Sequence, residues 1–307
     1  MVRIIIYMVM AAVMAACGGG VSRKQAVSAP QPVSYHFRTV TPPAYMTREE
    51  QMEYMQEHYW DKFDFADTLF IARADTTDML RAYAAYVGRF VNPADGAPVR
   101  RLMQRAGVSR PMMDYFVMLA ERVLHDPNSP LRSDELYIPV LEAQLASPFY
   151  DEYERLVPQY DLELAQRNRI GHVASDFHYT TASGSRSSLY ATKADYTLLY
   201  INNPGCPMCR DIQQAIERSQ LLSTMIAERR LVVLAVYPDR DLAEWHKHPL
   251  PSVWISGYDE GCVIEQQRLY DLRAIPSLYL LDSAKRVLVK DSTSVEEIEY
   301  LLGNTVK

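Results

Sequence analysis

Two apolar rhythms divide the chain. From about residue 45 to 168, apolar residues return every three or four positions, the spacing that lays one stripe along an α-helix. Tyr83, Tyr86, Val87 and Phe90 make one such stripe, and Tyr115, Phe116, Leu119 and Val123 another. The spacing predicts helices over 71–90, 97–106, 110–124, 134–146 and 149–170. Asn92-Pro93, Gly107, Pro127-Asn128-Ser129-Pro130 and Ser147-Pro148 separate them. Ahead of them, Thr47-Arg48-Glu49-Glu50 is a capping-box pattern before Met52, Met55 and Tyr59. The Thr and Glu side chains of such a box satisfy amides that the helix leaves free.

From about Gly171 the rhythm changes to short unbroken apolar runs. Residues 196–201 and 231–237 are apolar on both alternating faces, which predicts buried neighbouring strands rather than half-exposed ones. Two short strands over 177–181 and 187–191 flank Ser183-Gly184-Ser185, and 253–256 reads as a brief extended segment. A hairpin of 277–282 and 286–290 turns at Ser283-Ala284-Lys285. Helical patterns cover 210–218, 241–246, 262–270 and 294–302, the last with Ser294 as cap and Glu296 and Glu297 in its first turn.

The 307 residues suffice for two cores, and a 48% hydrophobic, 23% charged composition is that of a globular protein. A net charge of −6 argues against nucleic acid as a partner and gives no reason to seek anionic lipid. The first 17 residues read as a targeting segment. Arg3 is followed by an apolar stretch over 4–16, too short to span a membrane as a helix, and then by Met14-Ala15-Ala16-Cys17-Gly18. That ending resembles the bacterial lipoprotein box, in which the cysteine is lipidated and becomes the mature N-terminus. Met14 replaces the Leu more usual there. The expectation is a lipid anchor on Cys17 that holds the chain to a membrane, the outer one, on the periplasmic side of the cell envelope, where disulfide chemistry is permitted. A Gly-, Ser- and Pro-containing stretch then reads as a tether, so the expected order is signal peptide 1–17, tether 18–44, helical domain 45–170 and a second domain 171–307.

Of the four cysteines, Cys17 goes to lipid and Cys262 is left over, an isolated cysteine best read as a small packing residue. Cys206-Pro207-Met208-Cys209 stands between the apolar run 196–201 and a helix, with Asn202 to Gly205 as the turn. Two cysteines three apart on a first helical turn share a face, with Cβ atoms about 5–6 Å apart, close enough to join as a disulfide. Cys206 sits where helix N–H groups favour a thiolate, which makes it the nucleophile. Cys209, one turn inside and more buried, resolves the mixed disulfide.

The order strand, CxxC, helix, second strand, hairpin and final helix resembles the thioredoxin family. Ala274-Ile275-Pro276-Ser277, entering the hairpin, matches its cis-proline loop. Tyr270-Asp271-Leu272-Arg273, Leu280-Leu281-Asp282 and Ala174-Ser175-Asp176-Phe177 match the TlpA/ResA-like branch. The resemblance covers about 171–305. It implies an α/β thioredoxin-like C-terminal domain, a mixed central sheet flanked by helices, behind an all-α N-terminal domain. The whole resembles lipoproteins of Bacteroidetes-type bacteria in which a helical domain of unknown function precedes such a fold. It further implies a cis Pro276 beside Cys206 and a backbone at Ile275 that pairs with an extended substrate. The implied partners are cysteine-containing exported proteins and an upstream electron-donor thiol protein; no cofactor is implied. The implied activity is thiol–disulfide reduction or isomerisation.

Two departures leave proton handling open. Many thioredoxins place a buried carboxylate six residues before the first cysteine, where this chain has Tyr200; the usual aromatic residue before that cysteine is Gly205. Asp211 and Glu217 read as solvated acids. His58-Tyr59-Trp60-Asp61 reads as an aromatic helix end packed on the core, and Trp254 as packing under a loop. His246 and His248 lack a third ligand in sequence. Two other readings remain open: a metal module that uses both cysteines as ligands, and an adaptor that acts through the helical domain.

Overall fold

The structure, a computed structural model, describes residues 35–305. The expected signal peptide, Cys17 and the tether as far as residue 34 lie outside the described residues. None of the helices described is long and apolar enough to cross a membrane.

The first part is helical. Its elements are α1 (Arg48–His58), α2 (Thr68–Arg73), α3 (Thr76–Phe90), α4 (Ala97–Ala106), α5 (Arg110–Ala120), α6 (Asp134–Ala146) and α7 (Leu156–Ala165). The Thr47–Glu50 capping box closes in both directions at the start of α1. Tyr83, Tyr86, Val87, Phe116, Leu119 and Val123 are buried in one core, and Tyr59 and Trp60 join it as packing residues. Gly96 lets α4 approach α6, since a Cβ there would lie 2.7 Å from the ring of Pro139.

Four expectations need correction. The single helix over 71–90 is two, because the Asp75 carboxylate accepts the amide of Thr77 and restarts the chain as α3. The helix over 110–124 ends as a π-helical turn, Glu121–His125. The helix over 149–170 starts only at Leu156, because the Asp151 side chain takes the amides of Tyr153 and Glu154 into a turn. Residues 35–44, expected to be tether, lie against the helical core: Phe37 stacks on Tyr59 at 5.4 Å, and Thr39 donates to the Tyr59 carbonyl.

The second part is a mixed sheet of β1 (His178–Thr181), β2 (Arg186–Ser188), β3 (Tyr196–Ile201), β4 (Leu231–Tyr237), β5 (Ile255–Tyr258), β6 (Ser277–Asp282) and β7 (Val287–Ser292), in the order β2-β1-β5-β4-β3-β6-β7. β3, β4 and β5 run parallel, and β6 returns antiparallel to β3. The helices are α8 (Pro207–Arg218), α9 (Gln220–Ala227), α10 (Leu242–Lys247), α11 (Val263–Gln266) and α12 (Val295–Thr305). Alternation sorts the strands onto two cores. Leu198, Tyr200, Val233, Ala235, Leu278 and Leu280 face one; Leu199, Ile201, Leu234, Val236, Tyr279 and Leu281 face the other. The extended segment expected at 253–256 falls two residues later, as β5. There Gly257 passes Tyr179 of β1 so closely that a Cβ would meet its ring at 2.6 Å. α9 has no counterpart among the predicted elements; Ser219 ends α8 and caps it. The helix expected over 262–270 shrinks to α11, bounded by left-handed backbone at Cys262 (φ +56°) and Arg268 (φ +52°).

Arginines pass both ways across the junction of the two parts. Arg132, between the π-helical turn and α6, reaches the carboxylates of Asp271 (2.9 Å) and Asp291. Arg273, from the loop before β6, meets Asp161 of α7 (3.3 Å) and His125. Lys290 of β7 pairs with Asp134 (2.7 Å) and donates to the carbonyls of Ala165 and Arg167. The Asn168 side chain donates to the Leu269 carbonyl and accepts the Ser175 amide.

Candidate active site

β3 ends at Ile201, and the next residues turn the chain into α8. Buried Asn202 donates its side-chain amide to the carbonyls of Tyr200 and Val236, which anchors the turn to the ends of β3 and β4. The Asn203 carbonyl accepts the Cys206 amide, and its side-chain oxygen accepts the Gly205 amide. Cys206 thereby becomes the N-cap of α8 with extended backbone, and Pro207 occupies the first helical position, where no N–H is needed.

The capping geometry makes the sulfur chemistry. The Cys209 amide donates to Cys206 Sγ at 3.3 Å, so the Cys206 sulfur stands where a capping oxygen would stand, in front of a helix N-terminus. Cys206 is partly exposed and Cys209 buried, and both are free thiols. The Asn203 amide donates to Cys209 Sγ at 3.3 Å. Burial pushes the Cys209 thiol up to about 12, against that amide. Tyr200, six residues before Cys206, is buried; its hydroxyl donates to the Cys209 carbonyl at 2.6 Å and also bears on the Cys209 sulfur, where it favours the thiolate. Trp254 meets the Tyr200 ring edge-on at 6.3 Å.

The Ile275–Pro276 peptide is cis. Cys206 Sγ lies 3.7 Å from the Ile275 carbonyl oxygen, so residues 69 apart in sequence meet at one point. Pro276 leads straight into β6, where Ser277 pairs with Ile201 of β3. The register across β3 and β6 therefore sets the cysteine loop and the proline loop side by side. On the flank of α8 a cleft of about 550 Å³ is lined by Tyr200, Asn203, Cys209, Gln213, Trp245 and Leu250 among others.

The remaining candidates fall elsewhere. Cys262 is buried, and Arg240 Nε donates to its sulfur at 3.4 Å. His248 pairs with Glu244 at 2.9 Å and His246 leans on Trp245. Asp211 and Glu217 are exposed. Among the described residues no three His, Cys, Asp or Glu side chains gather as a metal-binding group. Sequence reasoning missed Asn203 as the donor to Cys209, and it missed the junction acids Asp271 and Asp291 beside the proline loop. Both acids are in loops or strand ends, where charge has no periodic signature.

The sequence matches the domain of unknown function DUF5106 over residues 19–168. The crystal structure of a thioredoxin-like protein from Bacteroides caccae is similar at 41% identity, over 87% of this chain and 98% of that one, with a TM-score of 0.83. The C-terminal domain of an uncharacterized protein from Bacteroides fragilis is 45% identical over 44% of this chain and 98% of its own, with a TM-score of 0.43. A domain of a possible thiol-disulfide isomerase from Cytophaga hutchinsonii is 22% identical over 46% of this chain and 95% of its own, with a TM-score of 0.38. No curated protein matches.

Proposed function

Because this chain belongs to the thioredoxin-like family, with a DUF5106 region ahead of the fold, we propose that it is a thiol–disulfide oxidoreductase acting through Cys206 and Cys209. The observation that carries this reading is one sulfur held at a helix N-terminus, 3.7 Å from the carbonyl of a cis-proline loop, with a second, buried sulfur one turn behind it.

In the reducing direction, the Cys206 thiolate attacks one sulfur of a protein disulfide. The S–S bond breaks, its electron pair leaves on the departing thiolate, and that thiolate takes a proton from water. The Ile275 backbone pairs with the substrate chain and lines up the attacked bond. Cys209 then loses its proton into the neighbouring cleft and attacks Cys206 Sγ. The second substrate thiolate departs, and a Cys206–Cys209 disulfide remains, two electrons poorer than the dithiol. A donor dithiol protein returns those electrons. Burial of Cys209 works against the second attack, because only its thiolate is competent.

The same proposal takes exported proteins as substrates and places the chain in the cell envelope. A lipid on Cys17 anchors it at the periplasmic side of the outer membrane. This rests on the pattern Met14-Ala15-Ala16-Cys17-Gly18. Cys17→Ala is expected to move the protein from the membrane to the soluble fraction.

The test of the activity is covalent capture. Cys209→Ser incubated with a disulfide-containing protein is expected to accumulate a mixed disulfide on Cys206 that a reductant releases, and Cys206→Ser is expected to form none. Absence of any adduct on Cys209→Ser, with Cys206 reduced at the start, would overturn the reading.

A further inference from the structure

We propose that Arg132 is a positioning residue: it ties together the two ends of the proline loop, so that the helical part of the chain determines how well a protein disulfide docks at Cys206. The inference deepens the thiol–disulfide reading above and rests on it.

The loop runs from Asp271 to Ser277 and contains the Ile275 carbonyl that faces Cys206. Each end is held by a carboxylate. At the start, Asp271 Oδ1 accepts the Arg273 amide at 2.9 Å and Oδ2 accepts Arg273 Nη2 at 2.6 Å, which folds the loop back on itself. At the finish, Ser277 Oγ donates to Asp291 Oδ1 at 2.6 Å. The Oδ2 atoms of both acids converge on a single nitrogen, Arg132 Nη2, which comes from the other part of the chain. Side-chain exposures of 13% for Arg132, 5% for Asp271 and 6% for Asp291 put this bridge almost out of water, where charge-assisted bonds hold geometry firmly.

Arg132 does not reach out on a loose arm. Its own amide donates to the Ser129 carbonyl, Ser129 Oγ donates to the Val123 carbonyl, and the Ser133 amide donates to the Leu124 carbonyl. These bonds lock the turn onto the π-helical segment. Asp291 meets the bridge from a left-handed backbone (φ +51°) at the end of a β6–β7 pairing whose register is shifted. A β-ladder in regular register has no need of that conformation for an Asp, and its effect is to bring the carboxylate to both Ser277 and Arg132. Ser277 is fully buried, so its link to the loop is one of position and not of contact with a substrate.

The test compares a large and a small disulfide. The full-length protein is assayed for turnover of insulin, the docked substrate, with dithiothreitol as the electron donor, and, reduced and freed of dithiothreitol, for its single-turnover reaction with 5,5′-dithiobis(2-nitrobenzoate), which needs no docking along the loop. Arg132→Ala is expected to raise KM for insulin about tenfold while kcat and the rate with the small disulfide stay within about twofold. Arg132→Lys is expected to recover part of the loss, since an ammonium bridges two carboxylates without the fork. Should Arg132→Ala fail to fold, Ser277→Ala leaves the Arg132–Asp291 pair intact, frees one loop end, and is expected to raise KM for insulin several-fold. An unchanged insulin KM in a folded Arg132→Ala or Ser277→Ala overturns the inference and leaves the redox reading standing. Equal losses on both disulfides overturn it as well. A wild-type protein inert to both disulfides removes the redox reading and this inference with it.

Discussion

Two of the buried polar places among the described residues are built from opposite materials. Around Cys206 and Cys209, the two sulfurs meet uncharged groups and each other: the amides of Cys209 and Asn203, the carbonyl of Ile275 and the hydroxyl of Tyr200. At the junction of the helical part and the sheet, Arg132, Arg273, Lys290, Asp134, Asp161, Asp271 and Asp291 interlock as full charges. The difference follows from what each place has to do. On the proposed activity, a sulfur passes through thiol, thiolate, mixed disulfide and disulfide and needs neighbours that tolerate all four, and neutral dipoles do. A counterion fixed beside it would favour one of those states by several kcal/mol and stall the others. Charges that never change partner can be used for the other task, which is to hold two parts of a chain in one geometry.

The contrast predicts unequal costs of deletion. Asp271→Ala takes a buried carboxylate from between two guanidinium groups. It is expected to cost about 3 kcal/mol of stability, the lower end for breaking a buried ion pair, because Arg132 keeps Asp291 and Arg273 keeps Asp161. Cys209→Ala removes one buried sulfur with no charge behind it and is expected to cost about 1 kcal/mol. Urea unfolding of the two variants under reducing conditions measures both. Equal costs would break the contrast.

A sharper version uses pH. Asp271 and Asp291 share Arg132 yet titrate on opposite sides of an ordinary carboxyl. Burial works against Asp271, but Arg273 and Arg132 outweigh it and hold its carboxyl below the usual range. Asp291 is buried too; the shared guanidinium and Ser277 draw it down, Asp271 and Asp134 act on it as like charges, and burial, the largest influence, pushes it up to about 6. The signs then separate. Asp271, lowered in the fold, contributes stability that is present above the unfolded value near 4 and lost below it. Asp291, raised in the fold, contributes stability that is present below about 4 and lost as pH rises to about 6. Wild type is therefore expected to lose on the order of 3 kcal/mol from Asp291 between pH 4 and pH 6.5, since each tenfold change in proton affinity between the folded and unfolded carboxyl is worth about 1.4 kcal/mol. Asp291→Asn, which keeps the shape, is expected to flatten that part of the stability profile. A profile unchanged by the substitution would place the shared charge elsewhere.

How much of this could be read in advance depends on whether a feature repeats along the chain. β3 and β4 declared themselves because strands buried on both faces must be apolar at every position. The cysteine pair was legible because a helix start beside a buried strand leaves few roles for two thiols. The Ile275–Pro276 loop became legible only through the family likeness. What stayed hidden has no period. Arg132 finds its acids 139 and 159 residues away, and nothing in a turn or a strand end marks the partner. Helix limits failed for a related reason. Asp75 and Asp151 each capture a backbone amide and restart or delay a helix, while the apolar spacing runs on across both points. Cys262 and Arg268 adopt left-handed backbone that no apolar pattern announces.

The smallest expected effect comes from Tyr200, six residues before Cys206. Its hydroxyl donates to the Cys209 carbonyl, an oxygen on the helix backbone, and is buried with that bond intact. Tyr200→Phe keeps the ring edge against Trp254 and removes one neutral hydrogen bond, a loss of about 1 kcal/mol. The carbonyl is within α8 and keeps its helical environment. The hydroxyl is one neutral contact among several that bear on the Cys209 sulfur, so the rate at which Cys209 clears a mixed disulfide from Cys206 is expected to fall less than about threefold, which corresponds to under about 1 kcal/mol of barrier. A slowing of about a hundredfold would mean that the phenol relays the Cys209 proton in place of the missing carboxylate. The sulfur site would then depend on a titratable side chain after all, and its contrast with the charged junction would be one of degree.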